Sequence, residues 1–179
     1  AKNKKNVLLI DHDAQKSSSD WLASRPKNCA SIRSVAIGVG EDVDLNGLDV
    51  AVHDMPAAWT LEHIEDTIRP GDKVLIPVLS SPNDIKACLR FVMGLNRSGI
   101  LESGIQVGLI ANRVRPNTRY AKVLEEFLDR LDMPLVTKLR DTQNYIKVMD
   151  WGRRRWDLPA SRVKLDLEQW RPILRWLKK

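Results

Sequence analysis

Acidic residues follow two short apolar segments of the chain, and their positions could support metal-dependent phosphate chemistry. The segment VLLI is followed by Asp11-His12-Asp13, and the segment DVAVH is followed by Asp54. Carboxylates at the carboxyl ends of neighbouring parallel strands can hold Mg²⁺, which prefers one or two carboxylates together with water and phosphate oxygens. A single Asp in such a position is also a frequent helix N-cap. The combination of Asp11, Asp13 and Asp54 favours a metal and phosphate site over caps alone.

The elements that must position these acids alternate along the chain. Short runs that are apolar nearly throughout predict strands covered on both faces, at 6–11, 31–37, 49–54, 73–79, 106–112 and 134–138. Longer amphipathic runs predict helices at about 15–24, 57–68, 83–97, 117–131, 142–150 and 168–178. This alternation predicts a three-layer α/β fold, with helices on both faces of a mostly parallel sheet. Because no segment has the composition of a linker, we expect one domain over 1–179.

The net charge of +6 is concentrated at one end of the chain. Residues 151–179 contain nine of the 29 Lys and Arg but only three of the 23 acids, together with four of the six Trp. A basic, Trp-rich end on an otherwise neutral chain predicts a polyanionic partner, either nucleic acid or an acidic protein. The alternative is a solvated helix face above a Trp-lined core patch. Pro172 predicts that the last helix starts late or is kinked.

The cysteines and the hydropathy pattern indicate the compartment. Cys29 and Cys88 are isolated, with no CxxC spacing, and the apolar runs are far shorter than the ~20 residues that a membrane span needs. We therefore expect a reduced, cytoplasmic protein without a membrane span.

Two families resemble the segments that carry the acids. NVLLIDHD and DVAVHDMP resemble the opening strand and the phospho-acceptor strand of response-regulator receiver domains, with Asp54 as the acceptor. A receiver also needs a Lys at the end of its fifth strand, and the residues from Asn112 to Pro116 offer none. The receiver therefore stays the alternative.

The resemblance that covers nearly the whole chain is to the ParA/MinD group of deviant-Walker ATPases, especially ParA-like partition and cargo-positioning proteins. VLLIDHDAQKSSSDWLASRP resembles their second strand and following helix, DVAVHDMPA their Walker B strand, and KVLIPVLSSPNDI their VLIPVxPSPxDL stretch. The segment that runs from GLIANRVRP to LVTKLRD resembles the strand, Asn-Arg pair, helix and loop on their adenine side. EQWRPILRWL resembles their closing helix. The shared order of these stretches makes this resemblance the more specific one.

The resemblance implies a role for each matching residue. Asp11 lies by the Mg²⁺ and its waters, Asp13 helps to position the attacking water, and Asp54 is the Walker B acid that holds Mg²⁺ through water. Asn112 reads the adenine edge, and the loop around Arg140-Asp141 closes over the base. The implied cofactors are ATP and Mg²⁺. These residue types suit phosphoryl transfer, which depends mostly on positioning and charge neutralisation.

The chain also departs from the family pattern. Ala14 replaces a Pro, Lys16 replaces a small residue, His53 interrupts the apolar Walker B strand, and Met55 replaces a Thr. We interpret His53 as a packed or edge histidine rather than a ligand.

The sequence contains no P-loop of the form GxxxxGK[ST], whose backbone N–H groups and Lys bind phosphates. In the family this motif precedes the strand that VLLID matches, so we expect the chain to lack the first strand and the P-loop. That strand is central in the family's sheet, and its loss predicts an open gap. A fragment, a degenerate relative that does not hydrolyse ATP, and a sheet completed by another chain are three explanations. The retained acids favour a fragment, and whether the chain is an enzyme stays open.

The function that this resemblance implies is an ATP-dependent switch for the partition or positioning of a plasmid, a chromosome or another cargo. Such a protein forms a homodimer with ATP, binds DNA without sequence preference, and is released when a partner stimulates hydrolysis. We expect the DNA contacts in the basic segment, at Arg153, Arg154, Arg155, Arg171 and Arg175. Besides the receiver, the other alternative is a non-catalytic adaptor that binds DNA or protein on the same fold.

Overall fold

The computed structural model describes residues 5–38, 41–57, 60–150 and 159–178, and strands and helices alternate through them. The strands are β1 (Val7–Asp11), β2 (Arg33–Ala36), β3 (Val50–Asp54), β4 (Lys73–Leu79), β5 (Gln106–Val114) and β6 (Leu135–Arg140). The α-helices are α1 (Ser17–Ala23), α2 (Leu61–Thr67), α3 (Pro82–Ser98), α4 (Arg119–Leu128), α5 (Asn144–Asp150) and α6 (Ala160–Trp176). A short 3₁₀ helix, Ile100–Ser103, precedes β5. Each predicted strand and helix is present, with shifted ends.

The strands form two parallel sheets. In the first, β1 lies between β2 and β3, and in the second, β5 lies between β4 and β6. The predicted parallel α/β fold is confirmed, and the division into two sheets agrees with the predicted interruption of the sheet. The sheets belong to two compact units: unit 1 comprises 1–66 and 144–158, and unit 2 comprises 67–143 and 159–179. One domain over 1–179 stays a prediction.

Helices cover both faces of the sheet in unit 2. Leu109 and Ala111 of β5 point to one face, where they pack against buried side chains of α3 and α4. Ile110 points to the opposite face and packs with Leu139 of β6 and Ile173 of α6. Side chains alternate along a strand, so the apolar run in β5 supplies two cores at once. The predicted three-layer arrangement is thus confirmed within unit 2.

Helix α3 begins with a well-formed cap. The hydroxyl of Ser81 accepts the backbone N–H of Asp84 and also contacts the Asp84 carboxylate, and Pro82 occupies the first turn. Ser at the N-cap followed by Pro in the first turn is a strong helix start. The helix ends at Gly99, whose φ of 74° is a left-handed conformation that favours glycine. These caps fix both ends of α3.

The last helix corrects the sequence prediction. The predicted start near 168 was wrong, since α6 begins at Ala160 and continues through Pro172. Val163 and Asp166 of its first half are both fully buried. A charged residue at the inward position Asp166 interrupts the apolar periodicity, which is why the pattern revealed only the second half of the helix.

The end of α6 is fixed to the start of the second sheet. A Cβ atom on Gly108 of β5 would lie 2.6 Å from Val136 and 3.1 Å from the Trp176 ring, so only glycine leaves room for this contact. Lys73 of β4 donates a hydrogen bond to the carbonyl of Trp176 at 3.0 Å and lies 5.1 Å from its ring centroid. Trp170 packs against the core on the same side. These two Trp therefore serve packing, the alternative to stacking on a nucleic acid.

Thiol reactivity should differ sharply between the two cysteines. Cys88 is buried in α3, and burial raises the pKa of its thiol to about 11, whereas Cys29 is partly exposed. Because the thiolate is the reactive form, we expect Cys29 to react with an aromatic disulfide reagent at pH 8 at least ~100-fold faster than Cys88 in the native protein. Cys29→Ala and Cys88→Ala variants assign the two phases, and equal rates would contradict the burial of Cys88.

Candidate functional site

The carboxyl edge of the first sheet brings together the predicted acids of unit 1. Asp11 and Asp54 are register partners at the ends of β1 and β3. The backbone N–H of His12 donates to the carbonyl of Asp54 at 3.0 Å, which extends the pairing by one step. Asp13 follows in the turn that leads to α1. The sequence prediction that these acids meet at one sheet edge is thus met by the geometry.

Asp11 is held by three donors. Its Oδ2 accepts the backbone N–H of Ser19 at 2.9 Å and the Ser19 hydroxyl at 2.8 Å, while its Oδ1 accepts the N–H of Asp13 at 3.1 Å. The side chain is almost fully buried. Ser19 lies in the first turn of α1, so the carboxylate satisfies a free N–H at the helix start. Asp11 therefore fixes α1 to the end of β1.

Asp54 and Asp13 are less enclosed. Asp54 Oδ2 accepts the hydroxyl of Ser18 at 2.5 Å, and Asp13 Oδ1 accepts the backbone N–H of Gln15 at 2.9 Å. Both acids are only partly buried. The lone pairs of their second oxygens are not used by these bonds, so both can still bind a hydrated cation.

A pair of histidines lies between the two strand ends. His12 Nε2 and His53 Nδ1 are 2.9 Å apart, and the rings stack with centroids 5.2 Å apart. One imidazole must donate and the other accept in this bond. His53 is thus a packed histidine, as predicted, and it joins the end of β3 to the end of β1.

Burial and hydrogen bonding shift two pKa values at this edge. Burial tends to raise the pKa of Asp11, but the donors from Ser19 and Asp13 and the nearby His12 outweigh it and leave the pKa below its ordinary value. Burial lowers the pKa of His12, against the opposing effect of the Asp11 and Asp54 charges. At neutral pH the edge therefore carries an ionised Asp11 beside a neutral His12.

In unit 2, the predicted adenine-side residues occupy the ends of β5 and β6. Asn112 Oδ1 accepts the N–H of the next residue, Arg113, at 3.0 Å, and Arg113 has a left-handed φ of 51°. Asp141 accepts Arg115 Nε at 2.7 Å and Arg113 Nε at 3.3 Å. The bond from Arg115, helped by that from Arg113, lowers the pKa of Asp141. Asp141 thus ties Arg113 and Arg115, at the end of β5, to the end of β6. The adenine roles of Asn112 and Asp141 stay predictions.

Arg140 is bonded to two residues of α6. Its Nε lies 2.6 Å from Oδ1 of the fully buried Asp166, and its backbone N–H donates to Gln169 Oε1 at 3.0 Å. The predicted role of Arg140 in closing over a base stays a prediction, while its observed partners anchor α6 to β6.

The predicted DNA-binding residues divide between the described and undescribed parts of the chain. Arg153, Arg154 and Arg155 lie outside the described residues. Arg171 and Arg175 are exposed on α6, one helical turn apart and on one side. Their spacing would allow both to reach one phosphate backbone.

Sequence reasoning missed the side chains that hold these groups in place. Ser18 and Ser19 bind Asp54 and Asp11, and Gln169 and Asp166 bind Arg140. The run of three serines after Lys16 was the available signal for the first pair. Nothing in the local pattern marked the second pair, since it joins residues far apart in the chain.

Within the described residues, no helix is both long and apolar enough to pass through a bilayer. The same residues contain no group of three or more His, Cys, Asp or Glu side chains placed to hold a metal ion on their own. A cation at the first sheet edge would therefore need further ligands, such as water and phosphate oxygens.

The chain is an α/β protein with the P-loop NTPase-like fold of the ParA/MinD type. A plasmid partition protein of Borrelia burgdorferi bound to AMPPNP matches it with a TM-score of 0.68, at 14% identity over 97% of this chain and 88% of that one. MinD of Aquifex aeolicus in its complex with MinC matches with a TM-score of 0.65, at 17% identity over 100% of this chain and 86% of that one.

MinD of Pyrococcus horikoshii, complexed with Mg-ADP, matches with a TM-score of 0.55, at 14% identity over 85% of this chain and 75% of that one. No protein-family model and no curated protein matches the chain. The fold predicted from the sequence is therefore confirmed by structural similarity at low identity.

Proposed function

We propose that this chain is the body of a ParA-like ATP-dependent switch that partitions or positions a cargo on DNA, with ATP and Mg²⁺ as cofactors. The single observation that carries the proposal is the register pairing of Asp11 with Asp54 at the carboxyl edge of parallel strands, in a fold shared with proteins solved with AMPPNP and Mg-ADP. Ligands of open α/β sheets bind at this edge. Homodimerisation with ATP and a stimulating protein partner belong to the same proposal.

The acids at the first sheet edge could hold hydrated Mg²⁺, and each acid would have a different role. Asp54 and Asp13 keep oxygens that can bind a metal-held water, whereas Asp11 is enclosed by Ser19 and Asp13. Bound Mg²⁺ would neutralise charge on the phosphates. Asp11 would then act indirectly. Its bonds to Ser19 would hold α1, and with it Ser18, in a fixed place beside Asp54.

The proposal is tested by ATP hydrolysis at saturating Mg²⁺, measured on the natural protein with any sequence that precedes Ala1. We expect Asp54→Asn to lower kcat by about 100-fold, because it removes the carboxylate charge that holds the hydrated metal. The matched control is Asp20→Asn, an exposed acid on α1, which should stay within about twofold of the unchanged protein.

Other outcomes would favour the alternatives. Unchanged hydrolysis in Asp54→Asn would contradict the role of Asp54. Labelling of Asp54 by acetyl phosphate, abolished in the same variant, would support a receiver. DNA binding without any nucleotide binding would support a non-catalytic adaptor.

The proposed DNA contact is tested by duplex affinity against salt. Each phosphate contact contributes about 0.9 to the slope of log K against log salt, so Arg171→Ala/Arg175→Ala should reduce the slope by about 2. Lys122→Ala/Arg130→Ala is the control, and it removes one exposed cation from α4 and one from the turn that follows it. The Arg153/Arg154/Arg155→Ala triplet belongs to the same series. An unchanged slope in a variant excludes its arginines as contacts.

A further inference from the structure

The turn before β3 contains the only Asn-Gly pair of the sequence, at Asn46 and Gly47. Both residues are exposed, and Gly47 has a left-handed φ of 71°. The side-chain amide of an asparagine can react with the backbone nitrogen of the next residue, and glycine hinders this reaction least because it has no Cβ atom. The pair precedes the amino end of β3, whereas Asp54 of the candidate site lies at its carboxyl end. The proposed nucleotide switch therefore does not use it.

The two groups that would react are not engaged elsewhere. Among the residues that the structure describes, the backbone N–H of Gly47 donates no hydrogen bond, and the side-chain amide of Asn46 makes none. Only the backbone N–H of Asn46 is bound, to Asp44 Oδ1 at 2.9 Å. The Asn46 side chain can therefore rotate towards the Gly47 nitrogen, and that nitrogen can lose its proton, without breaking a bond that stabilises the fold.

The turn is anchored to Asn6, the residue that precedes β1. The side-chain amide of Asn6 donates to the carbonyl of Gly47 at 2.7 Å, and its backbone N–H donates to Asp49 Oδ2 at 2.6 Å. In return, the carbonyl of Asn6 accepts the backbone N–H of Asp49 at 2.9 Å. The position of the Gly47 carbonyl thus contributes to the joint between the amino ends of β1 and β3.

We propose that Asn46-Gly47 is a site of spontaneous covalent modification. The Gly47 nitrogen forms a bond to Cγ of Asn46, the bond from Cγ to Nδ2 breaks, and Nδ2 leaves as ammonia with the proton that the Gly47 nitrogen loses. Water then opens the resulting cyclic imide at either of its two carbonyls. One opening gives aspartate and the other gives isoaspartate. Water is the only co-reactant, and no atom is oxidised or reduced.

The isoaspartate product changes the backbone at the anchored turn. Its main chain runs through the former side chain of Asn46, which adds one methylene between that residue and Gly47 and moves the Gly47 carbonyl away from Asn6. Either product also adds a carboxylate two residues from Asp44, and like charges at this distance repel. The modified chain therefore has a weaker joint between the amino ends of β1 and β3.

Mass spectrometry of the full chain, digested after incubation at mildly alkaline pH, tests this proposal. We expect the peptide that contains Asn46 to gain about one mass unit, as a mixture of aspartate and isoaspartate, at least about tenfold faster than the peptide that contains Asn117. Asn117 is the matched control, because it is also exposed in a turn but is followed by the β-branched Thr118. The variant Asn46→Gln keeps an amide, yet should stay unmodified because its reaction needs a larger ring.

Two results would overturn the assignment of this site. One is an equal rate at Asn46 and Asn117. The other is modification of Asn46 in the urea-unfolded chain but not in the folded chain, since the fold would then protect the pair.

Thermal unfolding tests the consequence for the first sheet. The incubated natural chain should unfold at a lower midpoint than the fresh chain, whereas incubated Asn46→Gln should match its own fresh sample. An unchanged midpoint in fully modified protein would contradict the role of the Gly47 carbonyl. None of these measurements needs nucleotide, so their failure leaves the proposed switch untouched.

Discussion

Replacing Arg140 by Met is expected to lower the free energy of unfolding by about 3–5 kcal/mol, because it leaves a buried carboxylate without its partner. Asp166 is fully buried on α6, and its Oδ1 lies 2.6 Å from Arg140 Nε. The backbone N–H of Arg140 keeps its bond to Gln169, so the loss reports mainly the guanidinium. Urea denaturation of the whole chain measures the change.

Replacing Asp166, the other partner of this ion pair, should lower the free energy of unfolding by less. The Arg140 side chain is 35% exposed, so in Asp166→Asn the guanidinium can turn to water, and we expect a loss of about 1–3 kcal/mol. Lys138→Met is the matched control on the same strand, since its ion pair with Glu125 is solvent-exposed and worth about 1 kcal/mol or less. A greater loss for Asp166→Asn than for Arg140→Met would contradict this account of which partner is desolvated.

Replacing Asp11 by Asn is the second large effect, with an expected loss of about 2–3 kcal/mol near neutral pH. The change removes the charge that strengthens the bonds from Ser19 and Asp13, and leaves part of that buried hydrogen-bonding capacity unmet. Asp13→Asn is the control, because its partly exposed carboxylate accepts the Gln15 N–H in a tight turn, and the variant should lose about 1 kcal/mol or less.

The pH dependence of the Asp11 effect has a definite sign. The folded pKa lies below the ordinary value of 3.8, so the ionised carboxylate stabilises the fold at pH values above 3.8. That stabilisation is lost as the pH falls through the folded pKa. The difference between the natural protein and Asp11→Asn should therefore be constant from pH 7 to 8, where His12 is neutral, and should be smaller below about pH 4 than at pH 7. A difference that is larger at pH 3 than at pH 7 would contradict the lowered pKa.

The sequence predicted strands and helices well where a local feature, such as an apolar run or a cap residue, marks the element. β5 is apolar nearly throughout because both of its faces are covered, and its position follows directly from that run. Helix α3 was predicted at 83–97 and spans Pro82–Ser98, since Ser81, Pro82 and Gly99 mark its ends chemically. Cap residues of this kind can be recognised from the local sequence, because their effect does not depend on a residue far away in the chain.

The features that escaped prediction depend on distant partners. The first half of α6 was missed because the inward position is filled by Asp166, whose burial makes sense only beside Arg140. The enclosure of Asp11 was also not predictable, because the local sequence of an Asp at a strand end is the same whether its carboxylate binds a metal or Ser19. Sequence placed the acids at one edge, whereas the number of donors around each acid required coordinates.

The division of the chain into two units has a consequence for synthesis on the ribosome. Unit 2 takes its segments from 67–143 and from 159–179, with a stretch of unit 1 in between. The sheet of β4, β5 and β6 is therefore synthesised before α6, which supplies Ile173, Trp176 and the partner of Arg140. Until α6 is made, one apolar face of that sheet has no cover from it and Arg140 lacks Asp166. A nascent chain therefore passes through a stage in which unit 2 lacks only its second segment, and we expect shielding of the uncovered face by a chaperone to matter most just before α6 is made.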